Sequence, residues 1–233
     1  MNIALFGYGK MGKMIEQIAQ KRNHHIVARI DLDTPEIDYS NIDVAIDFSM
    51  PDAAYGNIQL CMEHGIPVIC GTTGWLKDYD NAVKLCQEKK GAFIYASNFS
   101  LGVNLFFELN SYLAKMMGNL KQYKVSMEEI HHTQKLDAPS GTAITLAEGI
   151  IKETDHTNWK LDTAGPGEIP IIAKRIDDTP GTHTVSYNSD IDNIAIVHTA
   201  YNREGFALGA VIAAEWIKGK TGVFTMKDVL NLS

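Results

Sequence analysis

The sequence predicts an α/β protein in two parts: an N-terminal domain on a parallel sheet, and a smaller α+β domain with an open mixed sheet. Three observations carry that prediction. Through the first hundred residues, short apolar runs alternate with segments of helical spacing, the pattern of strands joined by crossover helices. Beyond one long helical segment at 101–117, period-2 alternation takes over between Gly/Pro turns. The last thirty or so residues return to helical spacing. The boundaries expected are 1–100 for the first domain, 101–200 for the second, and 201–233 for helices returning to the first.

Asn2-Ile3-Ala4-Leu5-Phe6 is followed at once by Gly7-Tyr8-Gly9-Lys10-Met11-Gly12, and Met11, Met14, Ile15, Ile18 and Ala19 then share one helical face. A second strand over 25–30 ends in Asp31. Strand, glycine turn, helix and strand, with an acid about 20 residues past the last glycine, describe a Rossmann-type dinucleotide site. Gly7 allows the tight turn, Gly9 lets the backbone approach a pyrophosphate, and Gly12 lets the helix pack close to the strand. Asp31 would accept from the adenosine ribose hydroxyls and repel a 2′-phosphate. The next residues, Leu32 and Asp33, offer no Arg, although Arg29 lies two positions earlier. NADH is therefore the expected cofactor, in preference to NADPH.

Three more strand-and-turn units follow: Val44-Ala45-Ile46-Asp47-Phe48 into Ser49-Met50-Pro51-Asp52, Pro67-Val68-Ile69-Cys70 into Gly71-Thr72-Thr73-Gly74, and Ala92-Phe93-Ile94-Tyr95 into Ala96-Ser97-Asn98-Phe99. Helical segments lie between them near 53–64 and 76–89. In a parallel sheet all these turns line one crevice beyond the carboxyl ends of the strands. The second domain is expected to hold strands over 122–130, 169–176, 182–188 and 191–199, with Gly165-Pro166-Gly167 and Thr179-Pro180-Gly181 as punctuation. After Tyr201-Asn202-Arg203-Glu204-Gly205-Phe206, one helix runs through Phe206, Ala210, Val211, Ala214 and Ile217, and a last one covers 226–230.

Size and charge bound the function. The chain's 233 residues suffice to bury roughly 70% of the unfolded surface. A net charge of -7 argues against nucleic acid or an anionic membrane as partner, so anionic ligands must be met by local charge such as Lys10, Lys13, Lys135 and Arg203. Cys61, Cys70 and Cys86 show no CxxC spacing, and neither a charged leader nor an apolar segment of about 18 residues is present. These features describe a cytoplasmic protein with free thiols.

The densest chemistry lies in Glu129-Ile130-His131-His132-Thr133-Gln134-Lys135-Leu136-Asp137-Ala138-Pro139-Ser140-Gly141-Thr142-Ala143. Tyr123, Val125, Met127 and Glu129 alternate as a strand before it; Ala143, Ile144, Ala147, Ile150 and Ile151 recur as a helix after it. Asp137 or Ser140 can cap that helix, Pro139 suits its first turn, and the amides of Ser140-Gly141-Thr142 are ready for a carboxylate. Lys135 adds a full positive charge, and the histidines can move protons near neutral pH. Side chains of neighbours in an extended chain point to opposite faces, so His131 and His132 should not share one role. They diverge too far to chelate one ion with Asp137, and no metal is expected.

This run of residues resembles the signature of the 4-hydroxy-tetrahydrodipicolinate reductase family, whose members serve the diaminopimelate route to lysine. The resemblance extends to Gly71-Thr72-Thr73, to Ala96-Ser97-Asn98-Phe99, and to Gly222-Val223-Phe224-Thr225-Met226-Lys227-Asp228-Val229-Leu230. It implies NAD(P)H-dependent reduction of a cyclic dicarboxylate, with loss of the 4-hydroxyl as water and hydride transfer to that ring carbon. By resemblance, His131 is the catalytic acid/base and Lys135 the proton donor, while His132, Ser140, Gly141 and Thr142 contact substrate. The cofactor would meet Gly7, Tyr8, Gly9, Lys10, Met11, Gly12, Asp31, Gly71, Thr72, Thr73, Ala96, Ser97, Asn98, Phe99, Arg203 and Phe206. The second domain would also assemble a homotetramer. The glycine turn is one residue shorter than the Gly-Ala-Gly-Gly-Arg-Met-Gly form common in the family, and Met50 stands where many members carry Arg. Two other readings share the two-domain plan: a different small dicarboxylate or amino-acid dehydrogenase, and a non-catalytic dinucleotide sensor.

Overall fold

The computed structural model describes residues 1–31 and 37–232. Leu32 and Asp33 lie outside the described residues. The chain divides into two compact units, one formed by Met1–Leu101 with the chain from Glu204 onward, the other by Gly102–Arg203. No helix among the described residues is long and apolar enough to cross a membrane.

The first unit contains β1 (Asn2–Phe6), α1 (Lys10–Lys21), β2 (His25–Ile30), β3 (Val44–Asp47), α2 (Pro51–Glu63), β4 (Val68–Cys70), α3 (Tyr79–Lys89) and β5 (Ala92–Tyr95). The second contains nearly all of α4 (Leu101–Met117), then β6 (Lys124–His131), α5 (Gly141–Glu153), β7 (Asn158–Leu161), β8 (Glu168–Arg175), β9 (Gly181–Asn188) and β10 (Asn193–Ala200). The chain ends in the first unit with α6 (Glu204–Ile217), β11 (Gly222–Phe224) and α7 (Met226–Leu230).

The first sheet has six strands in the order β11-β5-β4-β3-β1-β2, all parallel. Its inner strands are buried along nearly their whole length because helices cover both faces. Alternation along β1 divides the core. Ile3 and Leu5 pack with Ile15 and Ile18 of α1 and Ala210 and Val211 of α6, while Ala4 and Phe6 pack with Ile58 of α2 and Cys86 of α3. β11 escapes the sequence reading: its three residues contain a glycine, and partners along β5 supply what local propensity does not.

The second sheet runs β10-β9-β6-β8-β7 and is mixed: β9 is antiparallel to β6 and β10, whereas β8 is parallel to β6 and β7. One face packs on α4 and α5 through Phe106, Leu113, Leu146, Ile150, Val125, Met127, Ile171 and Val185. The opposite face carries the row Ile172, Glu128, Thr184 and Val197, in register across four strands. The strands expected in this unit shift by one or two residues at their ends. β6 reaches His131 because its end still pairs with Arg175 of β8, and β7 is an added edge strand too polar to show apolar alternation.

Candidate active site

In the first unit, strand register places the turns after β1, β3, β4 and β5 on one edge of the sheet. Phe6 is opposite Asp47, Asp47 opposite Cys70, and Cys70 opposite Tyr95. β1 and β3 lie side by side where the strand order reverses, the place at which open α/β sheets bind ligands. Gly7 turns there with φ +85°, and a Cβ on it would lie 2.3 Å from the Phe48 carbonyl oxygen. A Cβ on Gly12 would come equally close to the Gly7 oxygen, so helix and turn touch through backbone. At Gly9 nothing lies within 4 Å, leaving the start of α1 open. No side chain caps that helix and no acid occupies its first turn. An open amide-rich helix start beside a close-packed glycine turn fits the pyrophosphate of a dinucleotide.

Other residues expected near the cofactor divide by where their side chains go. Thr73, Ser97, Lys10 and Arg203 are all exposed. Phe206 lies half-buried in the first turn of α6. Thr72 is turned inward, its hydroxyl donating to Asp47 Oδ1 at 2.6 Å. Phe99 is core, 1% exposed, and packs so closely that a Cβ on Gly209 would clash with its carbonyl oxygen. With both side chains turned into the protein, it is the backbone of these two residues that borders the edge. Asn98 accepts from the Ser100 amide and shapes the same turn.

Asp31 is exposed at the end of β2. Arg29, two residues earlier, is committed elsewhere: its Nε donates to Glu16 Oε2 at 2.9 Å, and its guanidinium lies 5.6 Å from the centre of the Tyr8 ring. Glu16 also accepts from the Tyr8 hydroxyl, and the Arg29 hydrogen bond holds its carboxyl below the usual range despite burial. This arrangement ties the glycine turn to β2.

Asp47, the last residue of β3, was not among the expected site residues. Fully buried, it accepts from Thr72 Oγ1, from the Ser49 amide at 2.9 Å and hydroxyl at 2.8 Å, and from Asn57 Nδ2 at 2.9 Å. All four bonds come from neutral donors. Burial outweighs them and raises its pKa.

In the second unit, three neighbouring strands turn polar at the same end of their inward rows. Val125 and Met127 lead to Glu129 and His131 on β6; Ile169 and Ile171 lead through Ala173 to Arg175 on β8; Tyr187 and Val185 lead to His183 on β9. Register puts Glu129 opposite His183 and His131 opposite Arg175. Gly181 completes the fit, for a Cβ there would sit 3.1 Å from His131 Nε2.

Glu129 is 0% exposed and joins these groups. Its Oε2 accepts from the Ser140 amide at 3.0 Å, and its Oε1 from Arg175 Nη2 at 3.1 Å. His131 Nδ1 and His183 Nε2 each lie 3.7 Å from Oε2. Burial by itself would raise the Glu129 pKa, but the Ser140 bonds, the His131 charge and the Arg175 guanidinium reverse the sign. Burial lowers the His131 pKa, with Glu129 opposing and Lys135 and Arg175 reinforcing the shift. His183 is pushed down to about 4, chiefly by burial and then by His131, so it is neutral at pH 7. The ligand atoms of Glu129, His131 and His183 lie within 4.8 Å of one another. Yet both Glu129 oxygens already accept hydrogen bonds, and the guanidinium opposes a second cation, so the set suits proton handling better than a metal.

Arg175 also donates to the Asp137 carbonyl at 2.6 Å and the Lys135 carbonyl at 3.4 Å, fastening the loop to the sheet. Lys135 Nζ meets Asp137 Oδ1 at 2.8 Å, and that bond holds the Asp137 carboxyl below its usual range. Ser140 caps α5, its Oγ accepting from the Ala143 amide at 3.2 Å and standing 3.1 Å from His183 Nε2. One expectation changes here: Pro139 precedes the cap rather than occupying the first turn. Ser140 is 3% exposed, its amide donating to Glu129 and its hydroxyl oxygen accepting from the Ala143 amide. Gly141 is exposed and Thr142 half-buried at the first two helical positions. His132 is half-buried, on the opposite side of the chain from His131.

Arg175 and His183 were missed by sequence reasoning, and Glu129 was read only as a strand residue. The legible signal was a charged or polar group ending an apolar period-2 row, which occurs three times in this unit.

Comparison with known proteins agrees with the geometry. The family described as "Dihydrodipicolinate reductase, N-terminus" matches residues 1–99, and "Dihydrodipicolinate reductase, C-terminus" matches residues 102–230. The 4-hydroxy-tetrahydrodipicolinate reductase of Christiangramia forsetii is 60% identical, over 99% of this chain and 98% of its own. That of Archaeoglobus fulgidus is 36% identical over 97% of this chain and 84% of its own. Among solved structures, a dipicolinate-bound dihydrodipicolinate reductase from Paenisporosarcina sp. TG-14 shares the fold with a TM-score of 0.81, at 22% identity, over 97% of both chains. With the glycine turn, the parallel sheet and the His131–Lys135 loop all falling inside matched segments, the chain belongs to the dihydrodipicolinate reductase family.

Proposed function

We infer that this protein reduces 4-hydroxy-tetrahydrodipicolinate to tetrahydrodipicolinate with loss of water, using NAD(P)H and preferring NADH. The observation that carries this reading is that one buried carboxylate, Glu129, anchors the start of α5 and, through Arg175, the loop carrying Lys135, with His131 3.7 Å away. A cyclic dicarboxylate needs what these residues offer: amide donors at Gly141 and Thr142 with the helix dipole behind them, and an ammonium for charge. The arriving carboxylate replaces Asp137 as the counter-charge of Lys135.

The bound nicotinamide supplies the hydride for the ring carbon that loses its hydroxyl. His131 and Lys135 manage protons around that step, one at the departing hydroxyl and one at the neighbouring carbon. His132 and Ser140 are assigned to the substrate together with Gly141 and Thr142, and Ser140 also caps the helix start. The turn from Gly7 to Gly12, the Gly71–Thr73 and Ala96–Phe99 backbones, Arg203 and Phe206 are assigned to the cofactor. The NADH preference rests on exposed Asp31 and on Arg29 being engaged by Glu16.

A homotetramer through the second unit's sheet is part of the same reading, supported by the face bearing Ile172 and Val197, which none of the described helices covers. A cytoplasmic setting is supported by three free, buried cysteines. The deciding experiment follows NADH and NADPH oxidation by the purified protein, with substrate generated in place from pyruvate and aspartate semialdehyde by the preceding synthase. Turnover favouring NADH is expected. Cofactor binding without turnover would overturn the reading.

A further inference from the structure

The Glu129 carboxylate has no part in binding or chemistry as described so far, yet it meets His131 and the Ser140 amide directly and the loop carrying Lys135 through Arg175. We propose that Glu129 is the positioning residue of the site: with Arg175, it orients the His131 ring and fixes the Lys135 loop and the start of α5 in one arrangement. The inference rests on the reductase reading.

Three observations support it. First, His131 Nδ1 is buried without a hydrogen-bond partner and lies 3.7 Å from Glu129 Oε2, so the carboxylate is the acceptor toward which that nitrogen points. A ring with its proton on Nδ1 leaves Nε2, on the Gly181 side, to take and release the proton of the reaction. Second, the same Oε2 accepts from the Ser140 amide, so the ring and the anion-holding helix share one anchor. Third, Arg175 bridges Glu129 Oε1 to the carbonyls of Asp137 and Lys135, so displacing the carboxylate releases the loop carrying Lys135 as well.

The charged and titratable groups around the His131 ring are Glu129 on its own strand, Lys135 and Asp137 on the loop, Arg175 on β8 and His183 on β9. Glu129 favours the protonated imidazole; Lys135 and Arg175 oppose it. Removing charge from the two partners therefore has effects of opposite sign on His131. Mere loosening of the site has no such signature.

The test compares wild type with Glu129→Gln, Glu129→Asp and Arg175→Gln. It measures kcat and KM against pH, NADH affinity, and the His131 ring titration by NMR of the full-length protein with labelled histidine. Glu129→Gln is expected to lower kcat by about tenfold or more, within the range of general acid–base contributions. NADH affinity should stay unchanged, and the limb reporting His131 should move to lower pH. Glu129→Asp should recover part of the lost kcat. Arg175→Gln, whose side chain is partly solvent-exposed and so better tolerated, should move that limb to higher pH.

Displacement of both limbs in one direction, or of neither, overturns the proposal; so does a Glu129→Gln kcat within twofold of wild type. If Glu129→Gln fails to fold, the sign of the Arg175→Gln shift decides. Absence of turnover by the wild type counts against the reductase reading itself, and the His131 titration then still decides the positioning role.

Discussion

Asp47 and Glu129 stand in corresponding places in the two units, each buried near the carboxyl end of a strand that is paired on both sides. Each gathers a loop at that end of its sheet, Asp47 the one after neighbouring β4 through Thr72 and Glu129 the one after its own strand through Ser140. Their surroundings differ in charge. Asp47 meets only hydroxyl and amide donors, and burial raises its pKa; Glu129 meets a guanidinium and two imidazoles, and its pKa is lowered. A buried carboxylate among neutral donors can hold backbone turns in shape. One that also faces cations can set the protonation of its neighbours. On the proposed reading, the first unit needs a rigid cradle and the second a proton at a chosen atom.

The sharpest way to break this contrast is at the groups the second carboxylate serves. His131→Ala and Lys135→Ala are each expected to lower kcat about 100-fold or more while leaving NADH affinity, measured by fluorescence titration, within about twofold. Loss of NADH binding in either would show that the two units do not divide the work as inferred.

Stability comes next. Glu129→Ala leaves the Ser140 amide unpaired and Arg175 without its counter-ion, and should cost about 2–3 kcal/mol in urea unfolding, less than a fully buried pair because Arg175 retains solvent contact. Asp47→Asn keeps the shape and removes a charge that lacks a counter-ion, at the expense of one donor facing the Asn57 amide. A net cost of about 1 kcal/mol is expected. Equal costs would erase the distinction.

Acid titration should separate the two by sign. The folded pKa of Asp47 is raised, so its stabilising contribution is fully present below the unfolded value and is lost as pH rises through the folded value. For Glu129 the folded pKa is depressed, so its contribution is present above the unfolded value and is lost as pH falls through the folded value. On lowering the pH from neutrality into the carboxylate range, the Tm of wild type should rise relative to Asp47→Asn and fall relative to Glu129→Gln. The smallest effect expected is on cofactor choice. Asp31→Ala should shift the NADH:NADPH ratio of kcat/KM toward NADPH by roughly tenfold, about 1.4 kcal/mol.

Much of this was legible from local pattern. The glycine turn, the alternation of strands and helices through residue 99, and the segment from His131 to Thr142 could be read directly, because periodicity and glycine spacing are local consequences of backbone geometry. Short or polar edge strands such as β7 and β11 were not legible, since their stability comes from a neighbouring strand rather than from their own residues.

By itself the sequence determined the two-part α/β plan, the dinucleotide turn and the chemical stock of the site: an ammonium, adjacent imidazoles and an anion-ready helix start. Tertiary structure alone decided which polar groups are spent inside the protein. Thr72 and Ser140 carry the same kind of hydroxyl as Thr142, yet the first two are buried on carboxylates or imidazole and the third borders the open helix start. It also decided that Arg175 and His183, 46 and 54 residues beyond Glu129, complete its surroundings. The reason is physical: a hydrogen bond joins atoms brought together by strand register, and register across a mixed sheet is a long-range outcome of packing.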